Sequence, residues 1–191
     1  SQFTDKIIWI TGATSGIGEA LAYALSEKGA NLILSARRVD ELERVKSNCK
    51  GEALVLPLDL SKIDEFESLR QKVITHYGRI DYLINNGGIS QRSEAFETPL
   101  ELDRKIMEIN YFGNIALTKA VLPQMQKQQS GTVVVISSLS GKFGFFLRSA
   151  YSASKFALVG FYEEGRGDVK TRPTSGGFYE GDTSESPPHV R

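Results

Sequence analysis

Tyr151 and Lys155 stand four residues apart, and Ser138 lies thirteen residues before the tyrosine. On a helix that spacing puts phenol and ammonium on one face. A free phenol, with a pKa of about 10, is a poor acid at neutral pH. A lysine cation at close range favours the phenolate and draws its pKa toward working pH. Such a tyrosine can give a proton to a carbonyl oxygen, or take one back. Ser138 can donate a hydrogen bond to the same oxygen. Taken alone, the pair also fits the start of an amphipathic helix with a snorkelling lysine. What gives it weight is the company it keeps upstream.

There, the run Thr11-Gly12-Ala13-Thr14-Ser15-Gly16-Ile17-Gly18 follows a short apolar stretch and opens a helical pattern. Gly12, Gly16 and Gly18, with Thr14, Ser15 and Ile17 in the same turn, form a candidate pyrophosphate site. Missing side chains let the backbone turn tightly, and a helix N-terminus offers free N–H groups and a favourable dipole to negative charge. An NAD site usually carries an acid about 20 residues on, gripping the ribose 2′-hydroxyl. Here Ala36 holds that place and Arg37-Arg38 follow. A 2′-phosphate needs cations, and the arginine fork matches phosphate oxygens. The expected cofactor is therefore NADP(H), with Arg37 as the main contact and Ser35 and Arg38 as lesser ones. No metal is expected. Asn110 stands in an otherwise apolar helical stretch, where it costs helix propensity. It could bend the helix and hold a water near the lysine, or be satisfied by local backbone.

The elements that must position these groups are legible from periodicity. Lys6–Thr11 is a continuous apolar run without polar alternation, as in a strand buried on both faces. Further strands are expected over Asn31–Ala36, Ala53–Pro57, Asp81–Asn85 and Thr132–Ser137. Helices are expected over Ile17–Lys28, Asp40–Asn48, Ile63–Tyr77 with Ser61 as N-cap, Leu100–Gln128 and Ser152–Glu164. Strand and helix alternate five times, with connections too long for hairpins. That predicts an α/β, Rossmann-type doubly wound parallel sheet of order 3-2-1-4-5.

Bulk properties narrow the function classes. The 191 residues suit one domain, and 23 basic against 23 acidic residues give a net charge of +0. No broad basic face points to nucleic acid. The single cysteine, Cys49, cannot form an internal disulfide. No apolar run of membrane-spanning length is present.

These residues resemble the classical short-chain dehydrogenase/reductase family, from about Lys6 to Glu163. The spacing Thr-Gly-x-x-x-Gly-x-Gly is the one found there. The family's Asn-Asn-Ala-Gly after strand four is matched by Asn85-Asn86-Gly87-Gly88, with a glycine for the alanine. The resemblance implies that Asn86 and Gly87 border the adenosine side and that Asp59 contacts the adenine. It also implies a catalytic tetrad of Asn110, Ser138, Tyr151 and Lys155, with Asn110 in a proton relay and Lys155 holding the nicotinamide ribose. The stretches Ser35–Arg38 and Asn86–Ser93 are similar to the dehydrogenase/reductase member 7 subgroup. Relatives there act on steroid- or retinoid-like carbonyls and associate with the endoplasmic reticulum. The implied location is the cytosol or the cytoplasmic face of that membrane, the latter through any anchor preceding Ser1. Implied partners are a small-molecule carbonyl or alcohol and a second copy, as a homo-oligomer paired through the helices bearing Asn110 and Tyr151.

The pattern departs after Glu164. Residues 1–164 read as the dinucleotide-binding domain. Residues 165–191 are rich in Gly, Pro, Ser and Thr and read as loop or disordered tail, too poor in apolar groups to offset ordering entropy. No sixth strand is readable there, and the C-terminal strands of the fold are expected to be missing, as in a truncated product. Two functional expectations follow. One is an NADP(H)-dependent oxidoreductase acting on a lipophilic substrate, suggested by Phe143, Phe145, Phe146 and Leu147, residues that fit core packing equally well. The other is a nucleotide- or partner-binding product impaired in turnover, because the family's substrate lid lies beyond Glu164.

Overall fold

All five residues of strand β1 (Ile7–Thr11) are buried. In this computed structural model, which describes residues 1–90, 93–136, 149–164, 170–174 and 178–182, successive side chains of β1 enter different cores. Ile7 and Trp9 pack on one face of the sheet, and Ile8 and Ile10 on the other. A strand covered on both sides has no need of polar alternation, which is why the run reads as continuously apolar.

The chain order is β1, α1 (Gly16–Glu27), β2 (Asn31–Ser35), α2 (Val39–Ser47), β3 (Ala53–Val55), α3 (Phe66–Tyr77), β4 (Tyr82–Asn85), α4 (Leu100–Met107), α5 (Asn114–Gln128), β5 (Thr132–Ile136) and α6 (Ser149–Glu164). Parallel pairing gives β3-β2-β1-β4-β5, the expected order, with registers such as Trp9↔Ile33 and Trp9↔Leu83. Helices α1 and α2 cover Ile8, Ile10, Leu32 and Leu34 through Ala22, Leu25, Leu42 and Val45. Helices α3, α5 and α6 cover Trp9, Ile33, Leu83 and Val133 through Phe66, Val73, Leu117, Val121 and Leu158. Each such aliphatic side chain fully buried contributes about 1.5–3 kcal/mol.

Three sequence expectations need correction. Ser61 does not cap the third helix. Its hydroxyl donates to Asp59 Oδ1 at 2.7 Å, and the helix begins instead with a short 3-10 turn at Ile63–Glu65. The long helix over Leu100–Gln128 is interrupted by a π-helical turn, Glu108–Gly113, centred on Asn110.

The segment after Glu164, read as loop, contributes two strands, β6 (Lys170–Thr174) and β7 (Phe178–Asp182). They form an antiparallel ribbon, with β7 paired to β5 from Thr132↔Asp182 to Ile136↔Phe178. The whole sheet is β3-β2-β1-β4-β5-β7-β6. An open strand edge offers backbone donors and acceptors whatever the side chains of the pairing segment. Pro173 is tolerated because it sits on the outermost strand.

Candidate functional site

The cleft opens where the strand order reverses, beyond the carboxyl ends of β1 and β4. Thr11 ties these two ends together. Its hydroxyl accepts from the backbone N–H groups of Asn86, at 3.0 Å, and Gly87, at 2.9 Å. Asn86 in turn donates through Nδ2 to the carbonyl of Gly12 at 3.0 Å. The glycine turn is thus braced from β4 as well as from β1.

Three glycines carry the turn. Gly12 has φ +61°, and a Cβ there would sit 2.9 Å from Asn86 Nδ2. Gly16 has φ +52° and opens α1. Gly18 lies behind the loop, where a Cβ would sit 2.1 Å from the carbonyl oxygen of Gly12. Ser15, the N-cap residue of α1, makes no side-chain cap. The first amides of α1 therefore have no cap from Ser15 and remain available to an anion.

A cleft of about 240 Å3 runs from this turn to the loop after β2. Of the expected cofactor residues, Gly12, Thr14, Ser15, Ser35, Arg37, Arg38, Asp59 and Gly87 line it. Leu58, Leu60, Ile89 and Ile109 supply apolar walls that the sequence reading missed. Single apolar residues flanking a motif carry no signature of their own. Ile17 is half-exposed on the first turn of α1 and does not line the cleft.

The polar residues divide by how their atoms are occupied. Ser35 is fully buried. Its hydroxyl accepts from Trp9 Nε1 at 2.8 Å and donates to the Leu56 carbonyl at 2.7 Å, so it is spent between β1 and the residue just after β3 and is not free for a phosphate. Arg38 is exposed and paired with Asp40 at 2.8 Å. Asp59 accepts from both the backbone and the hydroxyl of Ser61. Those bonds, and more weakly the positive charge of Arg37, hold its carboxyl below the usual carboxylate range. Arg37 thus stands within electrostatic reach of Asp59 in the wall of the cleft, and its own group is exposed. Glycine backbone, an open helix N-terminus, two arginines and apolar walls together fit an adenosine carrying phosphates.

The other expected residues meet around α6. Lys155 is only 6% exposed, and its Nζ lies over the ring of Tyr151, 5.5 Å from the centroid. That is within cation–π range. Burial disfavours the charged form and lowers the lysine pKa to about 8. Asn110 is fully buried. Its Oδ1 accepts from the N–H of Ile89 at 2.8 Å, and its Nδ2 donates to the carbonyl of Ile89 at 2.7 Å. Nδ2 also donates to Ser154 Oγ at 3.2 Å, and Ser154 donates to the Tyr151 carbonyl at 2.7 Å. Asn110 is therefore satisfied by backbone, but by that of a distant loop rather than its own turn. It joins the cleft wall at Ile89 to the helix bearing Tyr151. Gly113 allows the π turn to approach the loop after β3, since a Cβ there would meet the Leu60 carbonyl oxygen at 2.3 Å. Ser138 and the aromatic run Phe143–Leu147 lie outside the described residues.

A second polar cluster, unforeseen from sequence, lies behind α6. The Tyr162 hydroxyl donates to Asn114 Oδ1 at 2.7 Å and shares a 2.7 Å hydrogen bond with Thr118. Asn85 donates to Thr118 at 2.8 Å. These bonds pin α6 to α5 and to the end of β4.

Comparison with known proteins identifies the family and the fold. The short chain dehydrogenase family model matches residues 6–173. The chain is 47% identical over 179 residues to human (Homo sapiens) dehydrogenase/reductase SDR family member 7, covering 90% of this chain and 53% of that protein. It is 44% identical over 179 residues to the Drosophila melanogaster dehydrogenase/reductase SDR family protein 7-like, covering 90% and 55%. The chain thus spans about half the length of these curated relatives. Among solved structures, levodione reductase superposes with a TM-score of 0.82 at 31% identity, covering 85% of this chain and 66% of that one. A short-chain dehydrogenase from Streptomyces avermitilis gives 0.77 at 37% identity, covering 84% and 59%.

Proposed function

This chain belongs to the short chain dehydrogenase family and is similar to its member 7 proteins, and from that premise we propose that it interconverts a carbonyl and a secondary alcohol with NADP(H). The observation that carries the proposal is the buried Lys155 ammonium over the Tyr151 ring, one helical turn away on α6 and latched through Asn110 to the wall of the cleft.

The glycine turn and the first turn of α1 would hold the pyrophosphate. Arg37, and Arg38 once freed from Asp40, would hold the 2′-phosphate. Gly87 and Asn86 border the adenosine side and Asp59 its base. NADP(H), when bound, supplies or receives the hydride. Tyr151 gives its proton to the carbonyl oxygen, or takes one from the alcohol. Lys155 stabilises the phenolate that remains. It would also hold the nicotinamide ribose, whose hydroxyls would give its buried ammonium polar partners. Asn110 supports proton return by fixing the loop and the helix between which the proton must pass. Ser138 orients the carbonyl. A lipophilic carbonyl is the substrate class we favour, on the strength of Phe143, Phe145, Phe146 and Leu147 in the sequence.

NADPH and NADH titrations, followed by the emission of Trp9, the single tryptophan, test the cofactor. A panel of cyclic and aromatic ketones, followed by NADPH absorbance, tests the reaction. NADPH should bind more tightly than NADH, and Tyr151→Phe should lose turnover by a factor of about 10²–10⁴ without losing binding. Tighter NADH binding would overturn the cofactor assignment.

A second reading, binding without turnover, is favoured by the antiparallel ribbon on β5, where the family resemblance leads one to expect a sixth parallel strand and a lid. Wild-type protein that binds NADPH but shows no conversion, even in a single turnover, would establish it. Among the described residues no helix is long and apolar enough to cross a membrane.

A further inference from the structure

Helix α2 follows directly on Arg37 and Arg38, and one of its side chains reaches back to the glycine turn. The Arg44 guanidinium donates to the carbonyl of Thr14 at 3.0 Å and pairs with Glu19, in the first turn of α1, at 2.5 Å. Its Nε donates to Glu41 at 2.9 Å. One arginine therefore holds a carbonyl of the turn, a carboxylate of the helix that offers its N-terminus to phosphate, and its own helix. Arg44 and Glu19 are partly shielded, at 43% and 25% exposed. The two carboxylates, Glu19 foremost, push the guanidinium further above its already high range, so its charge is permanent.

Two effects on the cleft follow. The carbonyl of Thr14 and the N–H of Ser15 belong to one planar peptide and point in opposite directions. Fixing the carbonyl on Arg44 fixes the direction of that N–H, and both residues line the cleft. The second effect is electrostatic. An unpaired Glu19 carboxylate in the first turn of α1 would oppose any anion bound at that N-terminus. Arg44 neutralises it.

We propose that Arg44 is a positioning residue for the dinucleotide pyrophosphate, setting the glycine turn and masking Glu19 without touching the ligand. The proposal rests on the dinucleotide reading of the cleft. It also makes α2 the physical tie between the 2′-phosphate end, at Arg37, and the pyrophosphate end, at Thr14 and Ser15.

The test compares wild type with Arg44→Met, Arg44→Lys and the double variant Glu19→Gln/Arg44→Met. Two probes are titrated by calorimetry: NADPH, and adenosine 2′-monophosphate, which has the 2′-phosphate but no pyrophosphate. Arg44→Met should weaken NADPH binding about fivefold to tenfold, the scale of a partly exposed charged hydrogen-bond cluster. Binding of adenosine 2′-monophosphate should change by less than about twofold, because its contacts lie at the other end. Adding Glu19→Gln should recover most of the loss. Arg44→Lys, which keeps the charge but reaches fewer acceptors, should fall between, and it carries the test if Arg44→Met does not fold. Unchanged NADPH binding in the Arg44 variants overturns the proposal. So does an equal weakening of both probes, which would mean that α2 has merely loosened. Wild-type protein that binds neither NADPH nor NADH would instead overturn the dinucleotide reading, a distinct outcome visible before any variant is made.

Discussion

Lys155 shows what a buried ammonium costs in stability. Its ammonium is buried, and its pKa is lowered to about 8 by desolvation. Between about pH 8 and 10.5 the folded state holds a neutral lysine while the unfolded chain still binds the proton. The unfolded state then carries more protons, so stability contributed by this site rises with pH across that window. Below about 8 both states are charged and the full penalty, up to roughly 3 kcal/mol, is present. Lys155→Met should therefore be more stable than wild type at pH 7, by about 1–3 kcal/mol, with the gap closing by pH 10.5. It should also lose turnover. Urea unfolding at both pH values measures this, and a variant no more stable at pH 7 would contradict the desolvation argument. The placement of this residue on one helix face with Tyr151 was readable from their spacing, but its burial was not, since burial depends on which helices close over it. The same holds for Ser35. The sequence places it beside the arginines, yet Trp9 and Leu56, brought near by strand pairing, have already taken its hydroxyl.

Among the elements, the strand-turn-helix unit after β1 is the most tightly constrained. A methyl group at Gly18 would stand 2.1 Å from the backbone oxygen of Gly12, and neither backbone can yield without moving the turn. Gly18→Ala is expected to destabilise the fold by about 2 kcal/mol or more and to abolish dinucleotide binding. Gly87 differs. A Cβ there meets the tip of Leu60 at 2.8 Å and Thr11 Oγ1 at 3.3 Å, and the leucine tip can rotate away. Gly87→Ala should be neutral or stabilising by up to about 1 kcal/mol, through reduced freedom of the unfolded chain. Thermal unfolding of both variants, with and without NADPH, checks the contrast. Helix α6 offers a third case. Tyr162→Phe removes the hydroxyl that Asn114 accepts from and Thr118 shares, leaving buried polar atoms unpaired. A loss of about 1–3 kcal/mol is expected in chemical denaturation, and a loss below half a kcal/mol would mean that water replaces the hydroxyl. These elements were legible from sequence to different degrees. The parallel strands were, because burial on both faces leaves a continuous apolar run. The π turn was not, because it is set by the grip of Asn110 on Ile89 and by the approach of Gly113 to Leu60. The ribbon of β6 and β7 was not, because backbone pairing to the edge of β5 leaves no periodic side-chain pattern.

On the scale of the molecule, a net charge of +0 means that no general field draws anions in, so local charge must discriminate among them. On the proposed reading those charges are Arg37 and Arg38, which are exposed at one end of the cleft. Exposed pairs are screened over about 10 Å at 0.1 M salt, whereas contacts to glycine backbone and apolar walls are screened far less. If Arg37 and Arg38 receive the 2′-phosphate as proposed, NADPH and NADH would share the latter contacts and differ in the former. Raising salt from about 0.05 to 0.5 M should therefore weaken NADPH binding severalfold and NADH binding little, so that the preference narrows as ionic strength rises. The same difference should appear in stability, because a ligand at a hundred times its Kd adds about 2.7 kcal/mol to unfolding. At equal low-salt concentrations NADPH should raise the unfolding temperature more than NADH, and the two shifts should converge at high salt. Parallel salt dependence for the two cofactors would place the 2′-phosphate away from the arginines, and the preference for NADP(H) would then need another origin in the wall formed by Asp59 and Leu60.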